Sequence, residues 1–403
     1  MPYGDLVDKV VSTAPDPLAV PAGTSRYTDV VTAWYRHMAT TTAQFPERMT
    51  LFWHGLLTSD YRKANGLPFV AQQNALYRDK GTSDMRSLLL AVTSDPLMMR
   101  YLDLDASSAK APNENYSREL MELFTLGVGN FDESDVREGA RALSGMRVVF
   151  VDPSGAVTPL PKRPQAKNAM DRQRYEQQIA DLVGQGYSFR GQLDVKRHDG
   201  GTKSYLGRTG NLGADDVIDA ILARDACAPF LANKVLEYFA TPAPSRDLVA
   251  NIAKSFRSSG YDIKTLMRAV FNSSEFKAGA NYRSLVRSPV DYMVATMRVL
   301  GRADLAEKCV NAGRAMDQAL YDMPTVGGWP LNAGWVSSSA WLARLNFSQT
   351  VVSSTPSLPD PGRAVADHLD GVVGPDTATV FDASTTTTDK WYALLASPEF
   401  HLK

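Results

Sequence analysis

PNENYSRELMELFTLGVG, residues 112–129, is the stretch on which the reading of this chain turns. Leu120, Met121, Leu123, Phe124 and Leu126 supply apolar surface for a core, while Asn113, Glu114, Asn115, Arg118, Glu119 and Glu122 crowd the same few turns. On a period of 3.6 residues, Asn115, Glu119 and Glu122 fall on neighbouring positions of one helix face, and Glu114–Arg118 and Arg118–Glu122 form i,i+4 pairs. A carboxylate sealed unpaired in a core carries a heavy desolvation cost or takes up a proton, so these charges must be solvated, paired or used. A second helix, DESDVREGARALSGM, follows at once. Asp132 can accept from its first-turn amides, and Glu133 and Asp135 suit the positive end of its dipole.

Working outward, apolar residues recur at helical spacing from Tyr27 to Phe52, with an interruption at Pro46, and again over 82–102, where Pro96 opens a new segment. The character changes between Asp152 and Lys203, a stretch rich in Pro, Lys, Arg and Gln with one polar helix around Asn168–Leu182. Within it YSFRGQLDVKRHDGGTKSYLG alternates as a short hairpin with Gly200 and Gly201 near its turn. Helices return from Gly213 onward, with Asp216, Ser245 and Ser288 as caps and Gly260 and Gly301 as stops. Residues 353–388 have loop composition, and KWYALLASPEF docks back as a last helix. The fold class expected is mainly α: a large irregular multi-helix bundle with one short β-hairpin insertion. It forms a single domain over 1–403, with a polar insertion at 152–205 and a loop-rich segment at 353–388.

Composition narrows the function. A hydrophobic fraction of 44% and a charged fraction of 22% are ordinary for globular chains, which argues against global disorder. With 43 Lys and Arg against 44 Asp and Glu, no general field draws the chain toward phosphates or anionic lipid, so nucleic acid is not the expected partner. Cys227 and Cys309 sit in apolar helical contexts and read as small buried hydrophobes. There is no run of about 18 apolar residues and no basic start followed by one, so neither a membrane span nor a signal peptide is read. As given, the chain reads as cytoplasmic; a mature exported chain would read the same way.

NENYSRELMELFTLGVG with the DVREGARALSGM helix resembles the most recognisable motif of the bacterial Domain of Unknown Function 1800 family. Further stretches fit in the same order: MTLFWHGLL at 49–57, RHDGGTKSYLG at 197–207, FLANKVLEYF with SGYDIKTLMRAVFNSSEF, and VGGWPLNAGWVSSSAWLARLNF at 326–347. The resemblance covers about residues 45 to 350 and implies a mostly α-helical soluble protein, commonly exported, with no agreed activity. Relative to that pattern, less chain precedes the Phe-Trp-His segment, and 160–186 looks like an extra insertion.

Two readings of the polar residues stand side by side. In the first, Glu119, Glu122, His198, Asp199 and Arg118 form a catalytic group, with Asn113, Asn115, Lys203, Trp329 and Trp335 contacting a ligand. If His54, Glu119, Glu122 and His198 converge, imidazole and carboxylate donors suit a divalent cation such as Zn, Mn or Fe. In the second, the chain is a non-catalytic binding or assembly module. Arg118 then clamps Glu122 and a residue of another helix in an internal network, and removing Glu122 chiefly lowers stability. A di-iron bundle is disfavoured, because neither Glu119 nor Glu122 is followed by His three positions later. His54 also reads as a satisfied core histidine, and His198-Asp199 as a plain turn before Gly200-Gly201. Trp329, Trp335 and Trp341, six apart, could wall a sugar or another flat ligand, or pin a loop to the helical body. The partners expected are therefore a small-molecule or carbohydrate ligand, or another protein.

Overall fold

Helices account for most of the chain because apolar residues recur at the helical period and each run is closed by capping residues. The computed structural model describes residues 1–20, 24, 26–64, 67–158, 161 and 168–403, with the side chains of 67 and 68 excepted. The N-terminal half holds α1 (Tyr3–Val11), α2 (Tyr27–Thr40), α3 (Gln44–Leu56), α4 (Tyr61–Ala64), α5 (Leu67–Lys80), α6 (Met85–Thr93), α7 (Pro96–Tyr101), α8 (Asn115–Glu122) and α9 (Glu133–Ala142). Asp84 and Asp95 accept from Ser87 N and Met98 N and start α6 and α7, with Pro96 at the first position of α7. Asp132 and Asp135 close a capping box on α9. Pro46 lies in the first turn of α3, so the expected interruption falls just before it.

The β content differs from the single hairpin expected. After α9 the chain turns at Gly145, whose φ is +82°, into β1 (Met146–Val151). β2 (Val157–Thr158) and β3 (Ser188–Leu193) flank β1 antiparallel, Phe150 facing Thr158 and Met146 facing Leu193, with α10 (Ala169–Gly184) between them in sequence. Met-Arg-Val-Val-Phe-Val is a β-branched run that follows a helix directly; the sequence reading ends that helix at Met146 and gives the five residues after it to no element. The remaining hairpin is shorter and later than expected: β4 (Lys203–Tyr205) pairs with β5 (Arg208–Gly210) around Leu206 and Gly207, both at positive φ, while Gly200 and Gly201 sit in the preceding loop. Part of the polar stretch at 152–205 lies outside the described residues.

The C-terminal half continues with α11 (Ala214–Ala223), α12 (Cys227–Phe239), α13 (Arg246–Ser258), α14 (Ile263–Asn272), α15 (Pro289–Leu300), α16 (Ala306–Ala315) and α17 (Ser338–Ser353). Ser245 caps α13, Ser288 caps α15 through a box with Asp291, and Gly301 ends α15 in the left-handed region. The stretch 353–388, read as loop-rich, carries two helices, α18 (Pro361–His368) and α19 (Pro375–Ala383), each opened by Pro at its first position. α20 (Thr387–Ala396) then buries Trp391 and α21 (Pro398–His401) buries Phe400. The buried apolar cluster runs from Val7 to Phe400, and Leu402 bridges back to Val286. Both cysteines are buried and free. Among the described residues, no helix is long and apolar enough to cross a membrane.

Candidate functional site

On α8 the apolar side is settled by packing. Tyr116, Ser117, Leu120 and Met121 are buried, and the Tyr116 hydroxyl shares a 2.8 Å hydrogen bond with that of Thr93. Asn113 and Asn115 act on the local backbone: Asn115 N donates to Asn113 Oδ1 at 3.0 Å, Asn113 N donates to Ser107 Oγ at 3.1 Å, and Asn115 Nδ2 donates to Asp103 Oδ2 at 3.0 Å. Arg118 donates to both oxygens of Glu133 on α9, at 2.7 and 2.8 Å, and more weakly to Glu114 at 3.4 Å. The expected Arg118–Glu122 pair is not formed, because the guanidinium fork is taken by the carboxylate on the neighbouring helix.

Glu119 and Glu122 are half-buried, and among the described residues neither side chain forms a hydrogen bond or ion pair. Burial, with the Glu122 charge adding to it, holds the Glu119 carboxyl above its ordinary range, while Arg118 and Lys63 pull the other way. Burial also lifts the Tyr101 phenol to about 12, helped by the charges of Asp60 and Glu119. Lys63 itself lies 3.5 Å from Asp103.

The His198 loop is a clasp on α9. Arg141 donates from Nε to Asp199 Oδ2 at 2.7 Å and from Nη1 to both Glu138 oxygens at 2.9 Å, and Ser204 N donates to Glu138 at 3.0 Å. Asp199 N donates to Ser144 Oγ, and His198 Nδ1 lies 2.9 Å from the Ser144 carbonyl oxygen. Lys203, 1% exposed, donates to the Gly201 carbonyl and to Asn211 Oδ1. Burial holds its ammonium below the usual lysine range. The residue that brings these pieces together is Gly139: a Cβ there would overlap Ser117 Oγ of α8 and come within 2.8 Å of the Tyr205 ring of β4. Of the polar residues of this loop named by the sequence reading, Asp199 is held by Arg141 of α9, His198 lies on the Ser144 carbonyl just beyond α9, and Lys203 bonds to its own loop and to Asn211.

His54 is fully buried. Tyr321 N donates to its Nε2 at 3.1 Å, and its ring sits 4.2 Å from that of Tyr321 and 5.2 Å from that of Trp34. Burial lowers its pKa to about 3, so it is a neutral core histidine. Among the described residues no three His, Cys, Asp or Glu side chains stand together as a metal-holding group, so His54, Glu119, Glu122 and His198 do not converge as a cation site. His54 is taken up by the core and His198 by the Ser144 carbonyl.

Trp329 and Trp335 do meet in a cavity. A slot of about 110 Å³ lies between α3, α12 and the 327–335 loop, lined by Phe52, Lys234, Tyr238, Gln318, Trp329 and Trp335 among others. Gly328, at φ +80°, lets the loop close on α3, since a Cβ would overlap the Gly55 carbonyl oxygen. Thr58 Oγ1 donates to the Val326 carbonyl at 2.5 Å, and Asn332 Nδ2 to that of Glu237 at 3.2 Å. The loop is therefore pinned and also walls a slot. Trp329 Nε1 and the Tyr238 hydroxyl are buried without a partner among the described residues. Trp341 belongs elsewhere, packed 4.3 Å from the His401 ring. Sequence reasoning missed Lys234 and Tyr238, although their i,i+4 spacing within FLANKVLEYF places them on one face of α12.

The family model described as "Protein of unknown function (DUF1800)" matches residues 12–402. No curated protein matches, and no solved structure does.

Proposed function

The chain belongs to the DUF1800 family, and we propose that it is a binding protein whose slot between Trp329, Trp335 and Tyr238 seats a small ligand with a flat face and a polar edge, such as one sugar ring. One observation carries this reading. Aromatic residues line the slot, and two of them, Trp329 and Tyr238, carry a buried Nε1 and a buried hydroxyl with no hydrogen-bond partner among the described residues. Such groups are costly to leave unsatisfied, and a ligand that offers acceptors beside an apolar face would satisfy them. Lys234 and Gln318 are further polar side chains in the lining, Gln318 already accepting from Val290 N. Titration of the full chain with maltose, cellobiose and chitobiose, followed by tryptophan fluorescence and ligand-observed NMR, tests it. Binding lost in Trp329→Ala and Tyr238→Phe is expected; no binding of any probe at millimolar concentration, or binding indifferent to both substitutions, overturns it.

Acid–base chemistry at Glu119 and Glu122 is the second reading. The observation in its favour is that both carboxylates lack a partner among the described residues while burial and Glu122 lift the Glu119 carboxyl. It ranks below the slot because His198, Asp199 and Arg118 are consumed by other bonds. An NMR titration in which Glu119 behaves as an ordinary surface carboxyl removes its support.

A further inference from the structure

On the far side of Tyr238 lies a larger cavity, about 240 Å³, bounded by α2, α3, α15 and the last residue of the chain. Four cations line it, Arg48, Arg287, Arg298 and Lys403, against two carboxylates, Glu47 and Asp291. Both carboxylates are committed. Asp291 accepts from Arg48 Nη1 at 2.8 Å, from Ser288 N at 3.2 Å and from Lys403 Nζ. Glu47 accepts from Trp34 Nε1 at 2.6 Å and is paired with Arg78, which does not line the cavity. Arg298 uses Nη1 on the Met38 and Thr41 carbonyl oxygens, at 2.9 and 3.2 Å, at the C-terminal end of α2.

Arg287 is left over. It is half-buried, its guanidinium lies 5.0 Å from the centre of the Phe400 ring, and among the described residues that guanidinium makes no hydrogen bond or ion pair, although the backbone donates to the His401 carbonyl and accepts from Arg344. Burial comes first in taking Arg287 down to about 10 and Lys403 down to about 8, with the Arg48 charge adding to it and Asp291 opposing it. A partly desolvated guanidinium offers five donors in a planar fork, and its natural complement is an anion with several oxygens.

We propose that this cavity is a binding site for a compact oxyanion, a phosphate, sulfate or carboxylate group, held by Arg287 together with Arg48, Arg298 and Lys403. Resting on the slot reading, that group is the charged end of the same ligand. Leu51 lines both cavities, and the Tyr238 ring that walls the slot is covered by Arg48 and Lys403 at 5.2 and 5.0 Å.

Calorimetry on the full chain, in chloride buffer at fixed ionic strength, separates the two claims. Inorganic phosphate is expected to bind the wild type, to bind Arg287→Gln at least about tenfold more weakly, and to bind Trp329→Ala unchanged. Arg287→Lys, which keeps the charge without the fork, retains part of the affinity; circular dichroism checks that each variant is folded. Glucose 6-phosphate binds the wild type more tightly than phosphate does, and Trp329→Ala removes that difference. Phosphate that fails to bind the wild type, or binds Arg287→Gln and wild type alike, overturns the oxyanion site. Phosphate binding that needs Arg287, with no gain from the sugar, supports the oxyanion site and overturns its being the charged end of the slot's ligand, while the slot reading itself stands or falls on the neutral sugars.

Discussion

Arg118 grips Glu133 with two parallel hydrogen bonds of 2.7 and 2.8 Å, and so gives up Glu122 one turn along its own helix for a carboxylate on the next one. That choice staples α8 to the first turn of α9 and leaves Glu119 and Glu122 facing each other's charge without a counterion in contact.

Opposite signs follow for substitutions a turn apart. Arg118→Ala removes a partly exposed bidentate pair and should lower stability by about 1 kcal/mol. Glu119→Gln relieves repulsion and a burial cost, and should raise stability by a few tenths of a kcal/mol at neutral pH. The folded-state pKa of Glu119 lies above its ordinary 4.5, so its penalty exists where the unfolded chain is ionised and vanishes in acid. The gain from Glu119→Gln should therefore fade as pH falls toward 4.5 and be gone below it. Urea melts at neutral and acid pH decide the matter: a loss comparable to that of Arg118→Ala would mean that Glu119 has a structural partner after all.

The pH profile of the whole protein should carry two opposed slopes. His54 and His401 each titrate near 3 in the fold, both pushed down by burial first, against an ordinary 6.5. Between those limits the unfolded chain binds the extra protons, so each histidine makes stability fall as pH falls, by up to about 1.4 kcal/mol per pH unit. Asp95 runs the other way. Burial raises it from 3.8 to about 7, so the fold keeps a proton that the unfolded chain has lost, and stability falls as pH rises through that window. His54→Gln, which keeps an acceptor for Tyr321 N, should flatten the acid loss; Asp95→Asn, which keeps an acceptor for Met98 N, should steepen it. Stability curves that shift in parallel in both variants would show that neither group is linked to folding.

The helices were legible because their signals are local. Asp132, Ser245, Ser288 and Pro96 announce themselves within one turn, and each sits where its chemistry requires. β1 was not, since Val148, Val149 and Val151 become a strand only through pairing with β3, some forty residues on. The two helices in 361–383 were hidden in the same way, being short, Pro-initiated and stabilised by packing beneath α20 more than by their own composition. At the site, the helix with the most unusual sequence turned out to spend most of its polar groups on itself and on α9. The unpartnered Arg287 was invisible because an arginine shows its lack of an acceptor only once every neighbouring carboxylate has been assigned in space.

Gly139 offers the sharpest test of the α8–α9–β4 clasp, because the contact it permits joins three segments at one point. A methyl group there would collide with Ser117 Oγ and press on the Tyr205 ring, both on buried residues with little room to move. Gly139→Ala should therefore destabilise by about 1–3 kcal/mol, even though alanine is the better helix former by about 1 kcal/mol on an exposed face. Ser117→Ala removes a buried hydroxyl that has no partner, and should be close to neutral alone. Combined with Gly139→Ala it opens the space that the new methyl needs, so the double variant should recover part of the loss, a coupling that a double-mutant cycle by chemical denaturation reads directly. Additive losses would mean that the Tyr205 contact, and not Ser117, sets the limit; a stable Gly139→Ala would mean that α8 and α9 separate at little cost and that Gly139 is no constraint on the clasp.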